Sequence, residues 1–330
     1  VGLTAAVVAQ VAAAASAVAP CISSYILRFQ LHDMLGEKPS SLFMPGRRRR
    51  LNLVAICLNL FLPWVVFVVV FICMGFTMRF QMPPAAYAVV LVGLTAAVGL
   101  FGTAWSASRR YEGQSSFQDP SWVAFMAITI LCGTVLGAAG GSYCYQSYMS
   151  PYYSVSNLNV YSGIDPSAKT GLAVLDAGRA YFTTNARLEL SKALGFKNAD
   201  TYCVVPITAG QGNQSNYDFW AVGIDCCKGE VPQFRCGEFD NPRAKAGLRL
   251  VREEQRPFFR LAVQQAEAAH NITARFPTFF TWTADPLNEL ARLHDEGMRL
   301  LTLSTFVFFL FNSACVAVAT ALYTKLHHDD

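Results

Sequence analysis

The sequence predicts an α-helical membrane bundle that carries one α+β, disulfide-bonded domain outside the membrane. Hydrophobic residues make up 53% of the 330 residues and charged residues only 15%, whereas soluble proteins are about a quarter charged. The charge deficit is uneven, since several long stretches carry no charge while residues 146–299 have the composition of a soluble domain. That domain also holds four of the ten cysteines.

Four segments are long and apolar enough to cross a bilayer. A helix rises about 1.5 Å per residue and the hydrocarbon core is about 30 Å thick, so a span needs roughly 20 apolar residues. Residues 51–145 hold three predicted spans and residues 300–323 the last: Leu51–Met78, Ala85–Trp105, Trp122–Tyr145 and Leu300–Tyr323. The tight connection Arg79–Pro84 predicts that the first two form an antiparallel hairpin.

Residues 1–27 are a fifth candidate span. They are uncharged, but they are rich in alanine and interrupted by Pro20, and alanine drives membrane insertion weakly. We expect an N-terminal transmembrane helix here. Two other interpretations stay open, namely the remnant of a signal peptide and a helix that packs among the others.

Basic residues beside the spans predict the orientation, because arginine and lysine next to spans tend to stay in the cytosol. Residues 28–50 contain Arg47–Arg50, the connection before the third span contains Arg109 and Arg110, and the tail 324–330 contains Lys325. If all five spans cross, these segments share the cytosolic side. Residues 146–299 are then extracellular or luminal, in the plasma membrane or an endomembrane.

The four cysteines of residues 146–299 predict two disulfide bonds. A bridge between the adjacent Cys226 and Cys227 would close a strained ring, so each of them is expected to bond to Cys203 or Cys236, and the pairing stays open. A four-thiolate zinc site is one alternative, which an oxidising compartment disfavours. A vicinal redox pair is the other.

Two N-x-S/T sequons in the same segment predict glycosylation of Asn213 and Asn271. A single sequon arises often by chance. Together with the cysteines and the basic loops, the two sequons support an extracellular or luminal position of residues 146–299.

The first half of this domain is predicted to form strands and the second half helices. Runs rich in branched and aromatic residues predict strands at Leu172–Leu175, Arg179–Thr183, Tyr202–Thr208 and Phe219–Asp225. Ser147–Leu158 is predicted to be a tether. Pro257 marks the start of a helix that presents one face made of Phe258, Ala262, Ala266 and Ala269. Asp285 and Pro286 predict the start of one long helix that continues into the last span and couples domain and bundle rigidly.

We find no sequence motif for catalysis, cofactor binding or metal binding, and expect no catalytic residue and no cofactor. His294, Asp295 and Glu296 point in different directions on a helix, which favours a solvated face over a metal site; the run His327–Asp330 is interpreted as a polar tail. A cleft that gathers Asp176, Asp225, Glu238 or His270 would instead indicate an enzyme. The net charge of +4 gives no reason to expect a nucleic acid partner.

The predicted spans contain no Asp, Glu, Lys, Arg or His, which disfavours a proton-coupled transporter or a haem protein. Their polar residues Asn52, Asn59 and Asn312 are expected to hydrogen-bond between helices. Gly133, Gly137 and Gly141 recur every four residues and predict a close helix contact, either inside the bundle or in a dimer.

From Leu51 onward the layout resembles tetraspanins, with two spans, a basic turn, a span, a large loop and a last span. The run Cys226-Cys227-Lys228-Gly229 is similar to their Cys-Cys-Gly signature, although Lys228 interrupts it and Cys236 lies far from the last span. The stretch Phe219–Cys227 is also similar to one in a family of protist multi-pass membrane proteins, a resemblance that implies no known activity.

These observations favour a non-catalytic membrane protein whose outer domain binds or organises partners. The expected partners are the lipid bilayer and either another protein or a second copy, bound through the outer domain or the glycine ridge. A transporter- or channel-associated protein with the domain as gate or sensor is the alternative, followed by a membrane-bound enzyme.

Overall fold

The computed structural model describes residues 53–110, 120–210, 214, 216–228, 231–250, 252 and 254–326. The candidate span 1–27, the basic segment 28–50, Asn52, Asn213 and the run His327–Asp330 lie outside the described residues. Two compact units divide the chain. One comprises the residues up to Ser147 and from Glu296 onward, and the other, here called the cysteine domain, is Tyr148–Asp295.

The first described helices are apolar and long. Helix α1 is Leu53–Gly75, α3 is Pro83–Arg110 and α4 is Pro120–Cys144, and the short helix α2, Thr77–Gln81, lies in the turn between α1 and α3. The first span was predicted to continue to Met78. It ends at Gly75 because the backbone of Phe76 is extended, with φ −123° and ψ −153°.

The chain stays helical beyond α4, so the predicted tether Ser147–Leu158 is wrong. One π-helical turn, Tyr145–Met149, leads into helix α5, Ser150–Ser156. Pro151 lies in the first turn of α5, directly after the π-helical turn. Met149 and Val155 are buried and hold this segment in place.

The cysteine domain is built on a mixed sheet of eight strands in the described residues. The sheet has the order β1-β2-β9-β10-β6-β5, with β3 and β4 both paired to β5, while β7 and β8 form a separate hairpin. The β1–β2 and β10–β6 pairs are parallel and the other pairs antiparallel. The strands are β1 Asn159–Ile164, β2 Ala177–Phe182, β3 Arg187–Leu188, β4 Leu194–Asn198, β5 Asp200–Thr208, β6 Phe219–Ile224, β7 Cys227–Lys228, β8 Val231–Phe234, β9 Ala246–Arg249 and β10 Thr278–Thr283.

Three of the four predicted strands are present, as β2, β5 and β6. The fourth, Leu172–Leu175, is wrong, because Gly171–Val174 forms a 3₁₀ turn instead. Only Val174 of its apolar side chains is buried, whereas Leu172 and Leu175 are exposed, so this run does not have the two-residue periodicity of a half-buried strand. Strands β9 and β10 lie in the half of the domain that was predicted to be helical.

The central strands β5 and β6 are buried on both faces, which explains their nearly uninterrupted apolar sequences. On one face Tyr202 and Trp220 pack with helix α6, Arg256–His270. On the other face Cys203 and Phe219 belong to a second core. Helix α6 buries Phe259, Ala262, Val263 and Ala266, so the predicted face was wrong at Ala269, which is exposed, and missed Phe259 and Val263.

The last helix, α7, runs without interruption from Pro286 to Leu326. The carboxylate of Asp285 accepts hydrogen bonds from the backbone N–H groups of Leu287 at 3.0 Å and Asn288 at 3.2 Å. This is an N-cap with proline at the first helical position, as the sequence predicted.

Four helices of the described chain are long and apolar enough to cross a membrane. The candidate spans are Ala55–Gly75, Pro83–Ser106, Trp122–Ser156 and Pro286–Leu322. A helical protein with four such segments and an α+β region is an integral membrane protein in its architecture.

Candidate functional site

The four cysteines of the cysteine domain form two pairs at disulfide distance. Cys203 pairs with Cys227 and Cys226 with Cys236, with Sγ–Sγ separations of 2.00 and 1.85 Å and Cα–Cα separations of 5.7 and 5.2 Å. The pairs cross in sequence, and they tie β5 to β7 and the end of β6 to the segment after β8. Three of these sulfurs lie within 4.8 Å of one another, but a zinc site would need them as thiolates.

Gly223 makes room for this cluster, a role that the sequence analysis missed. It lies opposite Cys203 in the β5–β6 ladder. A Cβ atom at residue 223 would lie 2.5 Å from Cys236 Cβ and 2.6 Å from the Sγ atoms of Cys226 and Cys236. Only glycine therefore lets the second cysteine pair lie across β6.

The candidate acids do not converge. Strand β2 runs parallel to β10 and β6, because it is antiparallel to β9 and β9 is antiparallel to β10. Asp176 precedes β2, whereas Asp225 follows β6 and Glu238 contacts Thr283 at the end of β10. Asp176 thus lies at the end of the sheet where β2 begins, whereas Asp225 and Glu238 lie at the opposite end, where β6 and β10 finish. His270 lies at the end of α6.

Each of these carboxylates is used in a local contact. Asp176 accepts hydrogen bonds from Asn159 Nδ2 at 2.5 Å and from the Tyr161 hydroxyl at 2.9 Å, which lower the pKa of Asp176 and raise that of Tyr161. Asp225 accepts one from Thr201 N at 2.8 Å. These bonds tie neighbouring strands together.

Glu238 is likewise engaged in local hydrogen bonds. Its carboxylate accepts hydrogen bonds from Asn241 Nδ2, from the Thr283 hydroxyl at 2.9 Å and from Ala284 N at 3.2 Å. The bond from Asn241, followed by that from Ala284, lowers the pKa of Glu238. The carboxylate therefore stays ionised at neutral pH and joins the loop before β9 to the end of β10.

Asp218 is a buried acid of the domain that no motif in the sequence indicated. Its side chain is 2% exposed. The two carboxylate oxygens accept hydrogen bonds from Gly171 N at 2.8 Å and Phe276 N at 2.9 Å. Because two backbone N–H groups satisfy it, Asp218 joins the 3₁₀ turn to the loop before β10. The Asp-Phe-Trp sequence at the start of β6 gave no signal of this distant contact.

Three exposed apolar side chains are carried by the two segments that Asp218 joins. We call Leu172, Leu175 and Phe276 the edge cluster, and they are 52%, 45% and 44% exposed. The two segments touch, since a Cβ atom on Gly171 would lie 2.0 Å from the Phe276 carbonyl oxygen. Isolated exposed apolar residues are common, whereas a contiguous exposed apolar patch is typical of an interaction surface.

His294 belongs to no group of three close potential metal ligands in the described chain. Its ring packs on Tyr152 with centroids 5.1 Å apart, and its Nδ1 lies 3.7 Å from Asp295 Oδ1. The Asp295 side chain is 83% exposed and that of His294 only 27%, so Asp295 faces solvent while Tyr152 covers much of His294.

In the membrane helices, Asn312 compensates for a proline. Pro63 in α1 has no N–H, so the carbonyl of Asn59, four residues earlier, lacks its usual donor. Asn312 Nδ2 in α7 donates to that carbonyl at 3.1 Å and to the Leu60 carbonyl at 2.8 Å. Asn59 Nδ2 donates to Ala55 O at 2.8 Å. The predicted hydrogen bond between helices is confirmed for Asn312.

The glycine ridge packs inside the bundle. Cβ atoms on Gly133, Gly137 and Gly141 would lie 2.8–2.9 Å from the carbonyl oxygens of Pro63, Phe67 and Phe71. The ridge of α4 thus faces α1 along two turns with a four-residue repeat on both helices, an arrangement that allows Cα–H···O contacts. This geometry favours packing within the chain over a dimer contact.

Of the two predicted glycosylation sites, Asn271 can be located. It is exposed and follows α6 in a left-handed conformation, with φ 51°. Asn213 lies in the segment outside the described residues.

Comparisons with protein-family models, curated proteins and solved structures found no match. The four apolar helices and the cysteine-paired region before the last helix are compatible with the tetraspanin-like layout. The departures stand, because the domain contains an eight-stranded sheet and Lys228 interrupts the Cys-Cys-Gly signature.

Proposed function

We propose that this is a non-catalytic multi-pass membrane protein whose cysteine domain lies outside the cytosol and binds a protein partner. One observation carries the proposal. The edge cluster exposes Leu172, Leu175 and Phe276 on two segments that the buried Asp218 holds together. An apolar surface on a preorganised backbone loses little conformational entropy when it binds.

The chemistry of the domain supports a binding role. The candidate acids Asp176, Asp225 and Glu238 are engaged in strand and loop contacts at two sheet edges, so they do not form the shared cleft that an enzyme would need. In the described part of the bundle, Asn312 donates to backbone carbonyls, which is helix packing and not a polar pathway.

The proposed location has its own support. Two cysteine pairs persist in an oxidising compartment such as the lumen or the cell exterior. Asn271 lies in a sequon, and its side chain is exposed and therefore accessible for attachment of an oligosaccharide. The resemblance to tetraspanins, whose large loop is an outer one, supports the same orientation.

Site-directed photocrosslinking in native membranes tests the binding role. A benzophenone amino acid is placed at Phe276, and in a matched control at Leu190, which is 40% exposed elsewhere on the same domain. We expect an adduct of discrete mass from Phe276 and none from Leu190. The same adduct from both positions, or none from either, would contradict a partner-binding edge cluster.

Asp218→Asn provides a second arm of the test. An amide offers one acceptor oxygen in place of two, so one of the N–H groups of Gly171 and Phe276 loses its bond, at a cost of about 1–3 kcal/mol. We expect faster proteolysis at residues 171–176 and a weaker Phe276 adduct, with the α1–α4 bundle intact. Unchanged proteolysis would show that Asp218 does not hold the edge cluster.

A further inference from the structure

Arg79 is the one charged residue in the 56 residues from Leu53 to Ser108. It lies in α2, the turn where the apolar helix α1 has ended and α3 has not begun. This turn is at the end of two candidate spans, Ala55–Gly75 and Pro83–Ser106. A charge at such a position lies at the level of lipid headgroups, not in the hydrocarbon core.

The surroundings fix the guanidinium of Arg79 in place. Its central carbon lies 5.3 Å from the ring centroid of Tyr87 and 5.0 Å from that of Tyr145. Nη1 donates to Ser142 Oγ at 3.0 Å and lies 3.9 Å from Met74 Sδ. Two aromatic rings and one hydroxyl therefore orient the cation, and cation–π contacts are strongest where water is excluded.

These contacts do not neutralise the charge. No carboxylate pairs with Arg79 within the described ranges of the chain. A guanidinium has five N–H donors in a planar fork, and the hydrogen bonds to described residues use Nη1 alone. The Nε and Nη2 edge is left for an acceptor from outside these residues.

We propose that Arg79 binds a phosphate group at the membrane surface. The planar fork of arginine matches two phosphate oxygens, and such bidentate contacts are stronger than neutral hydrogen bonds. The source most at hand at this position is the headgroup of a phospholipid, and a soluble phosphate offers the same chemistry. The site belongs to the bundle and does not depend on the partner proposed for the cysteine domain.

Lipid retention by the purified full chain tests the site. Native mass spectrometry counts the bound molecules of dioleoylphosphatidylglycerol and of a phosphate-free glycosyl diacylglycerol with the same acyl chains. We expect the wild type to retain one more molecule of phosphatidylglycerol than of the glycolipid. We expect Arg79→Gln to lower the affinity for this phosphatidylglycerol roughly tenfold, because at least one charge-assisted hydrogen bond is lost. Arg79→Lys should lower the affinity less. Arg292→Gln, which removes an exposed charge paired with Glu289, is the matched control and should retain the lipid.

Inorganic phosphate separates the two sources. Stabilisation of the wild type by inorganic phosphate, lost in Arg79→Gln, supports the site with a soluble ligand, and stabilisation by phosphatidylglycerol alone supports a lipid headgroup. Equal retention of the two lipids by the wild type, without a phosphate effect, would overturn the proposal even if Arg79→Gln failed to fold. The same follows if Arg79→Gln lowers the melting temperature and leaves phosphate and lipid binding unchanged, because Arg79 then serves packing only.

Discussion

At the scale of single residues, Gly223 decides whether the Cys226–Cys236 pair can form. The Cβ atom of alanine at this position would overlap Cys236 Cβ at 2.5 Å and both sulfurs at 2.6 Å. We expect Gly223→Ala to leave Cys226 and Cys236 as free thiols and to lose stabilisation of about 2–4 kcal/mol. Thiol labelling followed by peptide mapping measures the free cysteines.

The Cys203–Cys227 pair serves as the internal control for this change, since the added methyl group meets the other pair. It should remain bonded in Gly223→Ala. Both pairs forming normally in the variant would show that β6 and the cysteine segment separate more easily than the close contact implies.

Residue-scale features were also the hardest to predict from the sequence. The cysteine cluster is local enough that spacing alone limited the pairing to two possibilities, and the structure has one of them. Asp218 gave no such signal, because its partners Gly171 and Phe276 are 47 and 58 residues away. A buried carboxylate can be recognised only when the backbone N–H groups that satisfy it are known.

At the scale of elements, α1 and α7 are joined by the hydrogen bonds that Asn312 donates to the carbonyls of Asn59 and Leu60, one turn before Pro63. In Asn312→Leu the Asn59 carbonyl loses its donor inside the bundle, which we expect to cost about 1–2 kcal/mol. Pro63→Ala restores an N–H four residues after Asn59. The double variant should therefore recover most of the loss, as measured by unfolding in mixed micelles.

The control for this cycle is Pro63→Ala alone. With Asn312 present, the Asn59 carbonyl already has a donor, so the single change should have a small effect on stability. If the two substitutions were simply additive, Asn312 would not be compensating for the missing N–H of Pro63.

The contact between α1 and α4 leads to a second prediction, in which the same glycine-to-alanine change has opposite effects on stability at two positions. Gly137→Ala places a Cβ atom 2.9 Å from the Phe67 carbonyl oxygen, whereas Gly99→Ala in α3 places one with nothing in the described chain within 4 Å. We expect Gly137→Ala to destabilise the bundle by about 1–3 kcal/mol through overpacking. We expect Gly99→Ala to be neutral or stabilising by up to about 1 kcal/mol, because alanine favours the helix.

Melting temperatures of the two variants, measured in the same detergent, test this contrast. A loss at Gly99 and none at Gly137 would reverse the assignment of which glycine face is packed. It would then point to a contact of α3 with residues outside the described ranges.

Elements with a local cause were predictable, and those with a distant cause were not. The spans follow from uninterrupted apolar composition, and α7 begins at its Asp-Pro cap. Strand β10, Thr278–Thr283, was missed, although threonine and aromatic residues suit a strand, because it lies between two segments with clear helical signals. Its burial comes from pairing with β9 and β6, which only the fold reveals.

At the scale of the whole molecule, the proposed orientation predicts both the disulfide bonds and the glycosylation of the native protein. If the cysteine domain is exposed to an oxidising compartment that contains the glycosylation machinery, the native protein carries bonds Cys203–Cys227 and Cys226–Cys236 and a sugar on the exposed Asn271. Peptide mass analysis of the unreduced protein, before and after glycosidase treatment, measures all three. The expected result is two linked peptide pairs and a mass loss at the Asn271 peptide.

The opposite result would have consequences beyond the disulfides. Four free thiols and an unmodified Asn271 would place Tyr148–Asp295 in the cytosol, since reducing conditions there keep cysteines as thiols. Three sulfurs within 4.8 Å of one another would then be a candidate metal or redox site. The edge cluster would face cytosolic partners instead, so this measurement should precede the crosslinking experiment and decide in which compartment the partner is sought.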